Sequence, residues 1–281
     1  MTRASDLAVT AIAPAIWGSV YLVTTQLLAG EHPLTVSLLR ALPAGCLLLL
    51  LVRELPSGVW LARVLVLGGL NFAIFWALLF VSAYRLPGGV AATVGAVQPL
   101  LVVLLERLFM GTPIRRQSVL AGLAGTAGVA LLVLTPEAAL DPIGIAAGLA
   151  GAASMACGTV LSRVWQPPVP PLTFTAWQLM AGGLLLLPVT LFVDRVIPEP
   201  TVWNLIGYLY LGLVGGAVTY LLWFRGLARL TPSTVAPLVL LSPVFAVVLG
   251  WVVLGEALRP LQIAGFLVVL GSVWLSQRAV A

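Results

Sequence analysis

Lysine is absent from this chain of 281 residues, and charge of either sign is scarce, with 8% of residues charged. A soluble domain carries about 25%. A folded chain with so little charge cannot clothe a water-facing surface, which excludes a soluble enzyme and a disordered protein. All 14 basic residues are arginines, and the formal net charge is +5. They lie between apolar stretches rather than in a patch, so nucleic acid is not an expected partner. Histidine occurs once, at His32, and cysteine twice, at Cys46 and Cys157 inside apolar segments. These numbers support neither a metal site nor a disulfide framework, and the cysteines read as small packing residues. No GxxxxGK[ST] loop is present, so neither ATP nor any other cofactor is expected.

What the chain does have is apolar length. Hydrophobic residues make up 61%, and the mean hydropathy is +1.12. Residues 7–30, 64–84, 86–105, 117–136, 142–162, 164–193, 200–224, 230–255 and 260–277 contain no Asp, Glu, Lys or Arg, and 33–52 contains only Arg40. A helix needs about 20 apolar residues to cross the hydrocarbon core. Runs such as Leu47 to Leu51 do not alternate as barrel strands do. The prediction is an all-α integral membrane protein. Its ten spans fall near 7–28, 33–52, 61–82, 88–108, 116–134, 142–162, 172–193, 203–227, 233–253 and 260–277. The first is too long for a signal-peptide core and is read as retained. The expected location is a bacterial-type inner membrane.

Cytoplasmic loops are rich in Lys and Arg. With the N-terminus inside, Arg3, Arg53, Arg63, Arg107, Arg115, Arg116, Arg163, Arg225, Arg229 and Arg278 fall on the cytoplasmic side. Only Arg85, Arg195 and Arg259 fall outside, so both termini are placed in the cytoplasm.

The chain also resembles itself. Arg85-Leu86, Gln98-Pro99 and Gly111 lie over Arg229-Leu230, Ser242-Pro243 and Gly255 at an offset of 144. Gly122 and Gly128 fall on Gly265 and Gly271, and Pro33-Leu34-Thr35 on Pro171-Leu172-Thr173, which puts Arg40 on Gln178. This predicts two five-helix repeats, residues 1–136 and 137–281. Five is odd, so the second repeat enters the membrane from the opposite side. Inverted repeats of this kind build alternating-access carriers with the substrate site near the midplane. A duplicated scaffold without a conduit is the alternative.

Charged groups inside a span are costly and usually functional. Arg40 is the one clear case, either as partner of a substrate carboxylate or snorkelling towards Glu31. No carboxylate lies mid-span, Glu106 and Glu256 being placed near span ends. Exporters of lipophilic cations generally need a buried acid, so the expected substrate is a small neutral or zwitterionic molecule, moved without a carboxylate proton relay.

Trp17 and Tyr21 share a face of the first span, and Asn71 and Phe75 share one on the third beside Trp76. Gln98-Pro99 breaks the fourth span, and Ser242-Pro243 with Pro237 breaks the ninth. Ser154 and Gly158 lie on one stripe of the sixth span. Tyr220 lies beside the stripe of Gly212, Gly216, Thr219 and Trp223 on the eighth. The expected substrate-binding residues are Trp17, Tyr21, Asn71, Phe75, Trp76, Gln98, Ser154, Tyr220 and Ser242. The expected hinges are Pro99, Pro237, Pro243 and Gly158. Trp60, Trp165, Trp203 and Tyr84 sit at span ends, where interfacial belts place them. Gly144-x-x-x-Gly148, Gly212-x-x-x-Gly216 and the series Gly122, Gly125, Gly128 mark close helix contacts. The expected assembly is a monomer or a weak homodimer.

The Trp17-Gly18 pair, Gln98-Pro99 with Gly111, and Pro243 with Leu254-Gly255-Glu256 carry a resemblance to the drug/metabolite transporter superfamily. The similarity is to its EamA-type ten-helix members, and within them to YddG-type exporters of aromatic amino acids. It covers nearly the whole chain, although the first repeat has Met110-Gly111-Thr112 where the second has the Leu-Gly-Glu piece. The resemblance implies a cavity lined by spans 1, 3, 4, 6, 8 and 9, with spans 5 and 10 as supports. It implies export of small metabolites, aromatic or hydrophobic amino acids among them, with no enzymatic step. A multidrug cation exporter and a non-transporting membrane scaffold are the alternatives.

Overall fold

The computed structural model describes residues 2–86, 88–133, 141–194, 200–255 and 257–279; nothing is said of the others. Among the described residues there are only helices, and ten of them are long and apolar enough to cross a membrane. In lipid every backbone polar group must be satisfied within the protein, and a helix does this residue by residue. The outward surface is apolar: Phe192 is 82% exposed and Leu50 72%. Such a skin suits acyl chains and not water.

The spans, numbered in chain order, begin and end at recognisable signals. Span 1 (Arg3–Leu27) is capped by Thr2, whose side chain accepts from the Ser5 N–H. Span 2 is Pro33–Val52. Span 3 joins Val59–Gly68 and Ile74–Arg85 through a π-helical segment, Gly69–Ala73. Span 4 consists of Gly88–Gly95 and Gln98–Met110. Span 5 is Arg116–Val133, and span 6, Pro142–Trp165, is capped by Asp141. Span 7 is Pro171–Val193. Span 8 joins Val202–Leu209 and Thr219–Arg229 through a second π segment, Tyr210–Val218. Span 9 runs from Pro232–Val235 through a 3₁₀ turn, Ala236–Leu240, into Leu241–Leu254. Span 10 is Pro260–Ala279. Spans 2, 6, 7, 9 and 10 open on proline. At the first helical position a missing N–H costs nothing.

Irregularities recur at matching places in the two halves. The π segments of spans 3 and 8 correspond, as do the breaks in spans 4 and 9. Gly111 and Gly255, which end those broken spans, adopt φ of 71° and 70°. A side chain is disfavoured there, so glycine is the natural helix terminator. The expected proline hinges acquire a physical reason. Pro99, Pro237 and Pro243 all fall in the first turn after a break. The break sits just before each ring, where a helix can restart without that donor.

Helix pairing is also matched. Span 2 packs on span 7 and span 5 on span 10. Span 1 packs on spans 8 and 9, while span 6 packs on spans 3 and 4. Span 2 meets the π segment of span 8, and span 7 meets that of span 3. Exchanging 1 with 6, 2 with 7, 3 with 8, 4 with 9 and 5 with 10 maps this set onto itself. The small residues allow the approach. A Cβ at Gly212 or Gly216 would stand 3.5 Å from the Arg40 carbonyl, and Gly144 and Gly148 lie against Leu86 and Ser82. Cys46 and Cys157 are free, as packing residues would be.

Candidate substrate-binding site

The interior is built around aromatic rings from spans 1, 3, 7 and 8. Trp17 lies 5.1 Å from Tyr220 and 5.2 Å from Trp223, centroid to centroid. Phe72 lies 4.5 Å from Tyr220 and 5.2 Å from Trp76. Phe174 meets Phe224 edge-on at 5.3 Å. Tyr220, Trp223, Phe72 and Trp76 are buried. The Trp17 indole donates to the Thr219 hydroxyl at 2.9 Å, which in turn donates to the Gly215 carbonyl at 2.8 Å.

Polar groups enter this box at the two π segments. There the wider turn leaves carbonyls open to side-chain donors. On span 8, Gly215 O also accepts from Arg40 Nη2 at 2.6 Å, while the Arg40 guanidinium lies 4.7 Å from the Trp76 ring centre. Arg40 therefore reaches inward and does not snorkel to Glu31, which instead accepts from the Tyr208 hydroxyl at 2.7 Å. On span 3, Leu70 O accepts from Ser154 Oγ at 2.8 Å. The next residue, Asn71, donates Nδ2 to Gln178 Oε1 at 2.7 Å. Asn71 and Gln178 are completely buried, yet Asn71 Oδ1 and Gln178 Nε2 have no hydrogen-bond partner. Buried polar atoms are seldom left so. Asn71 fits there because Gly158 opposite has no side chain, and any Cβ would strike the carboxamide.

A cavity of about 200 Å³ opens on the terminal-bearing face and reaches this region. Arg163 and Gln166 line it, as do Ser162, Phe174 and Phe224. Ser162 Oγ accepts weakly from Asn71 Nδ2 at 3.4 Å, so the cavity lies one layer from the amide pair. Its walls come from spans 6, 7 and 8, which adds span 7 to the set implied by the resemblance.

Of the sequence candidates, Trp17, Asn71, Trp76 and Tyr220 converge in this region, Ser154 borders it through Leu70, and half-buried Phe75 packs against the same core. Gln98 and Ser242 are buried at the breaks of spans 4 and 9. Gln98 Nε2 has no hydrogen-bond partner. The side chain of Tyr21 lies outside the described residues, and so does Glu256. Sequence reasoning missed two participants. Gln178 was visible as the counterpart of Arg40. Gly215, which acts through its carbonyl, carries no side-chain signal at all. A further residue, Glu106, lies outside this site and near a span end as expected, but it is 2% exposed. Its spacing from buried Pro99 and Val102 was the available clue.

Ten apolar helices with internal breaks, charge confined almost wholly to the two faces, and a polar pair inside an aromatic box define a polytopic membrane protein of the carrier class. The model of the EamA-like transporter family matches the chain twice, over residues 6–134 and 142–277. The chain belongs to that family, within the drug/metabolite transporter superfamily, and is a membrane transporter. It is 42% identical over 267 residues to Protein PecM of Dickeya dadantii, covering 94% of this chain and 90% of that one. It is 28% identical over 252 residues to the uncharacterized inner membrane transporter YedA of Escherichia coli K12, covering 88% and 82%. One crystal structure matches with a TM-score of 0.85 over 98% of this chain and 99% of that chain, at 21% identity, a likeness of fold.

Proposed function

We propose that this protein exports small neutral or zwitterionic metabolites, aromatic or hydrophobic amino acids foremost, by alternating access across a bacterial inner membrane with both termini in the cytoplasm. The observation that carries the reading is the Arg40 guanidinium held between the Trp76 ring and the Gly215 carbonyl inside the aromatic box. A cation so placed suits a carboxylate, because charge-assisted, bidentate pairing is what a guanidinium does best. The rings around it suit an apolar or aromatic body. The free atoms of Asn71 and Gln178 offer one acceptor and one donor nearby. This agrees with the resemblance to YddG-type exporters.

The two halves support the conformational side of the reading. We infer inverted repeats meeting near residues 134–142, supported by the double match to one family model and by the paired π segments and breaks. Such a scaffold holds two near-equivalent conformations by symmetry. The cavity on the terminal-bearing face would then be the cytoplasmic entrance. Substrate passing Phe174 and Phe224 meets the Asn71–Gln178 pair, then Arg40. Bending at the breaks before Pro99 and Pro237 closes one side and opens the other.

Counterflow in proteoliposomes tests this. Labelled Phe, Trp, Met, Thr and a hydrophobic cation are offered in turn. The reading expects flux of the hydrophobic amino acids, sustained without an imposed pH gradient. Flux of the cation alone makes the protein a multidrug exporter, and no flux of any removes the amino-acid reading.

A further inference from the structure

Arg63, at the terminal-bearing end of span 3, is gripped by two tryptophan rings. Its guanidinium carbon lies 5.1 Å from the Trp60 ring centre and 5.4 Å from that of Trp165, at the end of span 6. The rings are themselves anchored. Trp60 meets Phe174 edge-on at 6.3 Å and Trp177 at 6.4 Å, and the Trp177 indole donates to the Glu54 carbonyl at 2.6 Å. A ring face attracts the charge of a guanidinium and leaves its N–H groups unspent. Among the described residues Arg63 makes no hydrogen bond and no ion pair. The residue is half-buried, yet none of its nitrogens is among the buried polar atoms without a partner, so each reaches the surface. The cation is fixed in place with a full set of donors to offer.

Its place on the helix decides what those donors meet. Span 3 starts at Val59, so Arg63 stands about 6 Å along the axis from the helix end, at headgroup depth. Residues three and four away share its side of the helix. On one flank these are half-buried Trp60 and fully buried Leu67, which face the bundle. On the other they are Val59 and Val66, both exposed, with exposed Leu61 and Leu65 beside them. The donors therefore emerge where the acyl-facing surface begins. No acid answers the charge. Glu54, the acid nearest in sequence, is exposed and forms no ion pair with it. Asp6, on the same face, is taken by Arg225 and Arg229. A cation at this depth needs an acceptor, and the paired oxygens of a phosphate fit the guanidinium fork.

We propose that Arg63, with Trp60 and Trp165, forms a binding site for the phosphate of an acidic phospholipid whose acyl chains lie along Val59 and Val66. Free phosphate shares the anionic group but has nothing to lay on the apolar flank. A zwitterionic headgroup brings an ammonium beside Arg63, and like charges repel. The site is separate from the Arg40 box and does not depend on which solute the transporter carries.

Native mass spectrometry of the full-length protein in detergent tests this. The protein is titrated with dioleoyl-phosphatidylglycerol and, separately, with dioleoyl-phosphatidylcholine. The acidic lipid should bind about tenfold more tightly, the worth of one charge-assisted hydrogen bond. Inorganic phosphate and glycerol 1-phosphate should not displace it. Arg63→Gln should abolish the preference. Arg63→Lys keeps the charge but loses the planar fork, and should keep only part of it. Arg278 lies over a single ring, Trp274, on span 10. Arg278→Gln removes the same charge from the same face and should leave the preference intact. The comparison of the two lipids is made with Arg63 in place, so it stands even if Arg63→Gln does not fold. Equal binding of the two lipids, a preference that survives Arg63→Gln, an equal loss in Arg278→Gln, or displacement by inorganic phosphate would overturn the proposal.

Discussion

Two positions related by the internal repeat are filled with unlike chemistry. In one, Arg40 of span 2 reaches the π segment of span 8 and binds the Gly215 carbonyl. In the other, Gln178 of span 7 reaches the π segment of span 3 and binds the Asn71 amide. Arg40 aligns with Gln178 and Asn71 with Gly215. The backbone device is the same, a widened turn facing a long polar side chain. One version carries a charge and the other an uncharged amide pair. A symmetric scaffold supplies two alike conformations, whereas a symmetric binding site would grip a solute equally in two opposed orientations. Under the proposed function, a matched scaffold with unmatched side chains would hold the solute in one orientation.

The largest expected effects come from attacking what the halves share. Gly45 and Gly183 are counterparts where spans 2 and 7 cross. A Cβ on Gly45 would stand 2.5 Å from Met180 N, and one on Gly183 would stand 2.8 Å from Leu42 Cα. Backbone cannot yield as a side-chain end can. Gly45→Ala and Gly183→Ala should each cost about 3 kcal/mol, the upper range for overpacking, with similar falls in melting temperature in detergent. Gly271→Ala meets nothing within 4 Å and serves as the control. If only one of the pair is sensitive, the scaffold is not matched there.

Next comes the chemistry that differs. Arg40→Gln makes the two positions alike. Counterflow of carboxylate-bearing solutes should fall at least about tenfold, equivalent to about 1.4 kcal/mol. The amide of the same solute should be much less affected. Gln178→Leu is expected to act on stability first, since it strands the Asn71 donor in the core. About 1–3 kcal/mol is the usual cost of such a group. Equal flux losses in both variants would remove the distinction.

A smaller effect is expected where Trp17 meets span 8. Thr219→Val removes the acceptor for the indole N–H and should cost about 1 kcal/mol, read as a lower melting temperature with a shifted Trp emission. The smallest concerns the caps of the counterpart spans 1 and 6. Thr2 is neutral and Asp141 is charged. The Gly144 N–H chiefly, then the Ile143 N–H and Arg85, hold the Asp141 carboxyl below its ordinary 3.8. A depressed folded-state value means the contribution is complete above that ordinary value and fades as pH falls through the folded one. Asp141→Asn should therefore lower the melting temperature slightly at pH 7 and not in strong acid, and Thr2→Ala should show no such dependence.

Much of the fold was legible because lipid imposes a simple rule. Uninterrupted apolar length means a helix, and all ten spans appear within a few residues of expectation. The breaks were legible because a proline restarts a helix better than it continues one. The site was legible only in part. Trp17, Asn71, Trp76 and Tyr220 announced themselves as large or polar groups at span depth. Gly215 could not, because its contribution is a carbonyl common to every residue. The amide pair could not, because its members lie far apart in the chain and only packing joins them. Glu106 misled, since its place near a span end suggested water while span 9 covers it.

The order of apolar runs and arginines along the chain determined that this is a membrane protein, how many times it crosses, and which face gathers the arginines. Those properties follow from transfer free energies, which add along a chain without regard to partners. Tertiary structure decided that Arg40 turns inward to Gly215 and Trp76. It also decided that Glu106 is buried with one oxygen unmet, and that the aromatic rings converge. Those depend on which helix faces which. In a bundle whose helices are apolar all round, hydrophobicity cannot specify facing; close-fitting glycines and polar pairs do.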